Sequence, residues 1–154
     1  MKTAATSKTT LAAEVWRRIF GFLISTRRHR DVVLERLGLT PNDAKALSTL
    51  QHGEGRSMRS LADEWLCDAS NATWMVDRLE ERGLAERRTV PTDRRVKLVQ
   101  LTPEGARLKQ QLMEGMFEPP PELLALDSPE LQALLELLAK LPGSEADPFS
   151  AGPR

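Results

Sequence analysis

Residues 57–101 read SMRSLADEWLCDASNATWMVDRLEERGLAERRTVPTDRRVKLVQL, and this stretch decides the fold. Ser57 is a good N-cap, and Leu61, Ala62 and Trp65 fall on one face of a helix over 58–66. Leu66-Cys67-Asp68-Ala69 is a short break. Asp68 then caps a further helix running to Arg82, with Ala72, Met75, Val76 and Leu79 facing inward and Gly83 as its stop. Two short helices joined by a tight turn, the second opened by a capping side chain, form a helix-turn-helix pattern. The period then changes. Residues 84–88 and 96–101 read as strands, with Leu84, Val96 and Leu98 as apolar positions. Residues 89–95, containing Pro91 and Asp93, join them as a hairpin with a polar, basic tip.

A helix-turn-helix followed at once by a basic hairpin is a winged helix-turn-helix, so the chain is expected to be mainly α with a small β-hairpin wing. Upstream, residues 1–10 are polar and aperiodic and read as a disordered N-terminus. Leu11, Val15, Ile19, Phe22, Leu23, Thr26, Val33 and Leu37 predict one long amphipathic helix that ends at Gly38. This unit, 11–38, reads as an N-terminal dimerisation helix. The lobe spans 39–101 and opens with Thr40 as N-cap and Pro41 at the first helical position. Its first helix is expected to end near Gly53. Residues 102–142 read as C-terminal dimerisation helices. Thr102-Pro103-Glu104 opens one that runs to about Phe117, Pro119-Pro120-Pro121 breaks it, and Ser128-Pro129-Glu130 opens another carrying Leu131, Leu134, Leu135 and Leu138. Residues 143–154 read as a disordered tail.

Composition narrows the function. The 154 residues carry 22 Lys+Arg against 22 Asp+Glu, so any attraction to a polyanion must be local. The charge is uneven: residues 1–30 hold seven basic side chains against Glu14 alone, whereas 118–154 are acidic. One cysteine excludes an internal disulfide framework and fits a reducing cytoplasm. Two histidines are a poor supply of metal ligands. No apolar run approaches the roughly 18 residues of a membrane span. With no tyrosine, a stacking platform for single strands is not expected. There is no phosphate loop, His-Glu-x-x-His or nucleophile elbow, so neither catalysis nor a cofactor is expected.

The physical logic of a winged helix is a grip on two grooves. The second helix enters the major groove by its N-terminal end, where side chains reach base edges. The hairpin tip reaches the neighbouring minor groove, whose potential attracts an arginine. Arg94 or Arg95 suits that place, with Asp93 holding one of them by a charge-assisted bond. Ser57, Arg59, Arg87 and Arg88 are candidates for supporting phosphate contacts.

Four segments over about residues 11–141 resemble the MarR family of bacterial transcription regulators. They are Leu39-Thr40-Pro41; Ser60-Leu61-Ala62; residues 76–84, VDRLEERGL; and Asp93-Arg94-Arg95 followed by residues 101–105, LTPEG. The resemblance implies a homodimer with interleaved terminal helices, binding to palindromic promoter DNA, and relief of binding by a small molecule or oxidant. It places the family's base-reading positions on Ser70, Asn71, Thr73 and Trp74, and the wing pair on Asp93 and Arg95. Trp74 departs from the family pattern, where arginine is usual. Either it packs against a thymine methyl or it turns away from the groove. The triple proline shortens the fifth helix relative to the family.

Other candidates carry blander readings. Cys67, beside Asp68, reads as a small buried hydrophobe rather than a redox switch. His29 reads as a surface residue, with a ligand pocket as the alternative. His52 is expected to favour the C-terminal end of its helix. Trp16, Phe20 and Trp65 read as core. A homodimer would set two reading helices about 34–36 Å apart. The competing class is a winged-helix module that binds protein rather than DNA.

Overall fold

The computed structural model describes residues 7–90 and 93–142; for Val90 and Asp93–Val96 it gives the backbone alone. The elements run α1 (Lys8–Ser25), α2 (Arg27–Leu37), α3 (Pro41–Thr49), β1 (Arg56–Ser57), α4 (Met58–Trp65), α5 (Ala69–Glu81), β2 (Ala85–Val90), β3 (Asp93–Leu101), α6 (Pro103–Met116), α7 (Pro121–Leu124) and α8 (Ser128–Leu138).

Local capping chemistry explains most of the boundaries. Thr40 and Asp43 form a reciprocal capping box at α3. Ser57, Asp68 and Thr102 each accept a backbone N–H three residues ahead. At α8 the cap is Asp127, in a box with Glu130, one residue before the expected Ser128.

The structure departs from the sequence reading in several places, and the wing strands run longer than expected, to Val90 and from Asp93. The N-terminal helix starts at Lys8, inside the stretch expected to be disordered, because the Ser7 hydroxyl accepts from the Thr10 N–H. Nor is it continuous. It divides at Thr26, which is buried and whose hydroxyl donates to the Phe22 carbonyl at 2.8 Å. The Arg30 guanidinium takes the Leu23 carbonyl at 2.8 Å. The Phe22 carbonyl keeps its ladder bond from the Thr26 N–H at 3.0 Å, and side-chain donors from Thr26 and Arg30 add to the carbonyls at the break. The helix after Pro41 ends at Thr49 rather than near Gly53. A third strand, β1, completes an antiparallel sheet of order β1-β3-β2, with Arg56 opposite Val99 and Ala85 opposite Leu101. Residues 1–6 of the expected disordered N-terminus, the expected disordered tail 143–154, and Pro91 and Thr92 at the hairpin tip lie outside the described residues.

One core joins α2 to α6. Leu47, Leu50, Leu61, Trp65, Val76, Leu79, Val99, Leu101 and Leu112 are its most enclosed side chains. The inward residues expected for α4 and α5 are all buried. In contrast, α1, α7 and α8 bury no residue within the protomer. Their leucines other than the half-buried Leu123, together with Val15, Trp16 and Phe20, are exposed. The expectation that Trp16 and Phe20 are core therefore fails within one protomer; they lie against each other with ring centroids 6.3 Å apart. Among the described residues, no helix is long and apolar enough to cross a membrane.

Candidate nucleic-acid interface

The helix pair is fixed from below. Trp65 closes α4 in the core, and its indole N–H donates to the Thr49 hydroxyl at 3.1 Å. The Lys45 ammonium takes the Trp65 carbonyl at 2.6 Å. Leu66 then turns the chain in the left-handed region, at φ 52, with its side chain in solvent. Asp68 starts α5 by accepting the Asn71 N–H at 2.8 Å and the Ser70 hydroxyl at 2.5 Å. The Ser70 bond, then the Asn71 N–H, hold the Asp68 carboxyl below the usual range. The carboxylate thereby occupies the positive end of the helix.

Helical periodicity does the rest. Ala72, Met75, Val76 and Leu79 lock one side of α5 into the core. Ser70, Asn71, Thr73 and Trp74, the four expected readers, stand exposed on the opposite side. The Thr73 hydroxyl returns to the Ala69 carbonyl at 2.8 Å. Trp74 lies beneath the Arg78 guanidinium, whose central carbon is 5.1 Å from the ring centroid. Arg78 in turn grips Asp43, a residue of α3 that is almost fully enclosed. Burial alone would raise the Asp43 carboxyl. The Arg78 hydrogen bonds, the Thr40 N–H and hydroxyl, and the Arg78 charge outweigh burial and hold it low.

The hairpin is tied to this helix. The Arg87 N–H donates to Glu80 at 2.9 Å, and its guanidinium bridges Glu80 and, at 2.8 Å, Asp77. Arg87, expected as a phosphate contact, is thus half-buried between β2 and α5. Arg88 is mostly exposed and pairs with Glu86 at 2.7 Å. Gln100, then Arg88, holds the Glu86 carboxyl low. Arg59 is exposed on α4, and the Ser57 hydroxyl is occupied as the α4 cap. The backbone of Asp93, Arg94 and Arg95 belongs to β3, and their side chains lie outside the described part.

Sequence reasoning passed over Arg56. It binds the Ser60 hydroxyl at 2.6 Å and the Glu64 carboxylate at 2.6 Å, riveting β1 to α4. An arginine four residues before a serine and eight before a glutamate is the only local signal for it.

Residues 37–96, which hold these elements from α3 through β2 and the first four residues of β3, match the MarR family. Over these residues the chain is similar to the MarR family. It is 26% identical over 127 residues to the transcriptional regulator MhqR of Bacillus subtilis, covering 78% of this chain and 88% of that protein. The apo crystal structure of MarR from E. coli is 27% identical, with a TM-score of 0.62 over 80% of this chain and 93% of that one. A mutant of S. aureus MepR bound to an oligodeoxyribonucleotide is 21% identical, with a TM-score of 0.65 over 84% of this chain and 94% of that one, and so shares the fold. MarR-family regulators are non-enzymatic, in agreement with the lack of a catalytic constellation in the sequence.

The remaining candidates fall away from this surface. The half-buried Cys67 packs against the core. His29 is half-buried and 3.1 Å from the Glu118 carbonyl. The His52 ring approaches the Leu101 carbonyl at 2.9 Å, so it serves the sheet rather than the end of α3. Among the described residues, no three histidine, cysteine or acidic side chains gather as metal ligands.

Proposed function

We propose that this protein is a sequence-specific regulator of transcription that binds double-stranded DNA. One observation carries the reading. The N-terminal half of α5 offers Ser70, Asn71, Thr73 and Trp74 outward, while its other face is sealed into the core and its flank is bonded to the hairpin. A reading helix must present side chains at base edges without moving, and this one is held by both the core and the hairpin. The DNA-bound MepR structure and the relatives named as transcriptional regulators support the same function. The sites are then α5 in a major groove and Arg94 and Arg95, oriented by Asp93, at the adjacent minor groove, with Arg59 and Arg88 at phosphates. Arg87 acts as a brace.

The active form is a homodimer on palindromic promoter sites in the cytoplasm. Leu11, Val15, Phe20 and Leu23 of α1 and Leu131, Leu134 and Leu138 of α8 are apolar side chains that a lone protomer leaves exposed to water. An isologous pairing covers both copies and fixes the spacing of the reading helices. An apolar cleft of about 240 Å³ between α2, α3 and α6, lined by Leu34, Ala44, Leu112 and Met116, is a place for a small-molecule effector. A ligand there relieves DNA binding only if it prefers the non-binding arrangement.

The test is a footprint of the purified protein on the DNA upstream of its own gene, with competitor DNA, across a salt series. Protection of an inverted repeat with half-sites about one helical turn apart, weakening steeply as salt rises, is the expected result. Salt-independent, unselective binding would refute it in favour of a protein-binding winged helix.

A further inference from the structure

The Trp74 side chain has a fixed setting that its own chemistry does not require. Arg78, one turn further along α5, lays its guanidinium over the indole at 5.1 Å. Planar guanidinium groups stack well on aromatic faces. Arg78 is itself held: its Nε and Nη2 donate to the two Asp43 oxygens, each at 3.1 Å. The Asp43 side chain is 1% exposed, and Thr40 donates its backbone N–H to it at 2.9 Å. Arg82 adds a second cation 3.6 Å from the same carboxylate. A cation that would otherwise extend toward phosphate is therefore turned back onto α3, and its flat face becomes a backstop for Trp74.

The indole remains 49% exposed beside Ser70, the residue one turn before it. Trp offers one N–H donor and no acceptor, so it cannot form the two-bond grip by which arginine selects guanine. What it presents is apolar surface. Among the four natural base pairs, the major groove offers one apolar group, the C5 methyl of thymine. We propose that Trp74 is a specificity-determining residue that reads a thymine methyl, and that Arg78, anchored by Asp43, is the positioning residue that holds the indole for it. This rests on the reading of the chain as a DNA-binding regulator.

The full chain is used to select preferred sites from a randomised duplex library. Each thymine of the selected site is then replaced by deoxyuridine, symmetrically in both half-sites, which deletes the methyl and nothing else. At one thymine per half-site, affinity should fall about fourfold per methyl, the worth of one buried methyl-sized group. Trp74→Ala, at an exposed position, should bind more weakly and lose the thymine-to-uracil ratio at that step. Ser70→Ala should keep the ratio. Trp74→Arg should shift selection at that step toward guanine. Arg78→Gln should reduce the ratio toward one although Trp74 is intact, and Arg78→Lys should restore it only in part; a purely structural Arg78 would lower stability and leave the ratio alone. A selected site whose affinity is unchanged by every uracil, or a Trp74→Ala protein with an undiminished ratio, overturns the proposal and leaves the regulator reading standing. Failure to select any sequence overturns the regulator reading, and this proposal with it.

Discussion

Replacing Gly105 by alanine sets helix propensity against packing. Gly105 is the third residue of α6, where alanine would be preferred by at most about 1 kcal/mol. A Cβ at this position, however, would lie 1.9 Å from the Leu84 carbonyl oxygen and 2.8 Å from its carbon. Ordinary contact between carbon and a carbonyl oxygen is about 3.3–3.6 Å, so one backbone must retreat by roughly 1.5 Å. Neither is loose. The Leu84 carbonyl accepts from the Thr102 N–H at 3.1 Å, and the Leu84 N–H donates to Leu79 at 2.8 Å. Overpacking costs about 1–3 kcal/mol, and the Thr102 bond about 1 more if it breaks. After subtracting propensity, Gly105→Ala should destabilise by about 3 kcal/mol at the upper end. With a urea dependence near 2 kcal/mol/M, the midpoint should fall by up to about 1.5 M. Denaturation at fixed protomer concentration, followed by circular dichroism, measures this. Gly115→Ala is the comparison: its Cβ would meet side chains rather than backbone, Val33 at 2.6 Å and the flexible end of Arg36 at 3.0 Å. Its midpoint should move less. A Gly105→Ala protein as stable as the parent would refute the claim that α6 is seated directly on the Leu84 backbone.

Four further outcomes are expected. Leu66→Gly should stabilise by about 1 kcal/mol, since it relieves a left-handed leucine that is 92% exposed and loses no packing; an unchanged urea midpoint would count against strain. Asp43 has a depressed folded-state pKa, so its contribution should be complete above the ordinary aspartate value of about 3.9 and be lost as pH falls below that through the folded value. Asp43→Asn should therefore flatten acid unfolding in that window, which a pH series of melting curves would reveal. Leu135→Glu, at a solvent position of α8, should leave the protomer folded yet shift sedimentation from dimer to monomer. Arg95→Ala should weaken binding to the footprinted site more than Arg18→Ala; equal losses in a titration would remove the wing argument.

The parts of the fold that were legible in the sequence are those settled by near neighbours. Thr40, Ser57, Asp68 and Thr102 announced their helices because a cap and its N–H lie three residues apart. Ala72, Met75, Val76 and Leu79 announced the buried side of α5 through its period. Strand β1 was invisible because two residues carry no period, and its pairing with Val99 and Leu98 spans some forty residues. The break at Thr26 was hidden by an apolar spacing that runs through it; it is marked only by the Thr26 and Arg30 side-chain bonds to helix carbonyls. At the candidate site, exposure of the four α5 positions followed from periodicity. The fates of the arginines did not. Arg87 looked like any basic wing residue until folding brought Asp77 and Glu80 to it, and the partner of Arg78, Asp43, lies 35 residues away on α3.

The three-stranded sheet has two open edges, and their form bears on self-association. An unpaired strand edge invites further strands, and a long apolar one seeds aggregation. Here β1 is only two residues long, too short to template an incoming chain. The other edge, β2, carries Glu86, Arg87 and Arg88 in succession. An incoming strand would have to desolvate those charges, and Arg87 is already committed to α5. The sheet therefore stops at three strands, and the chain keeps its adhesive leucine surface on helices, where growth by strand addition has no foothold.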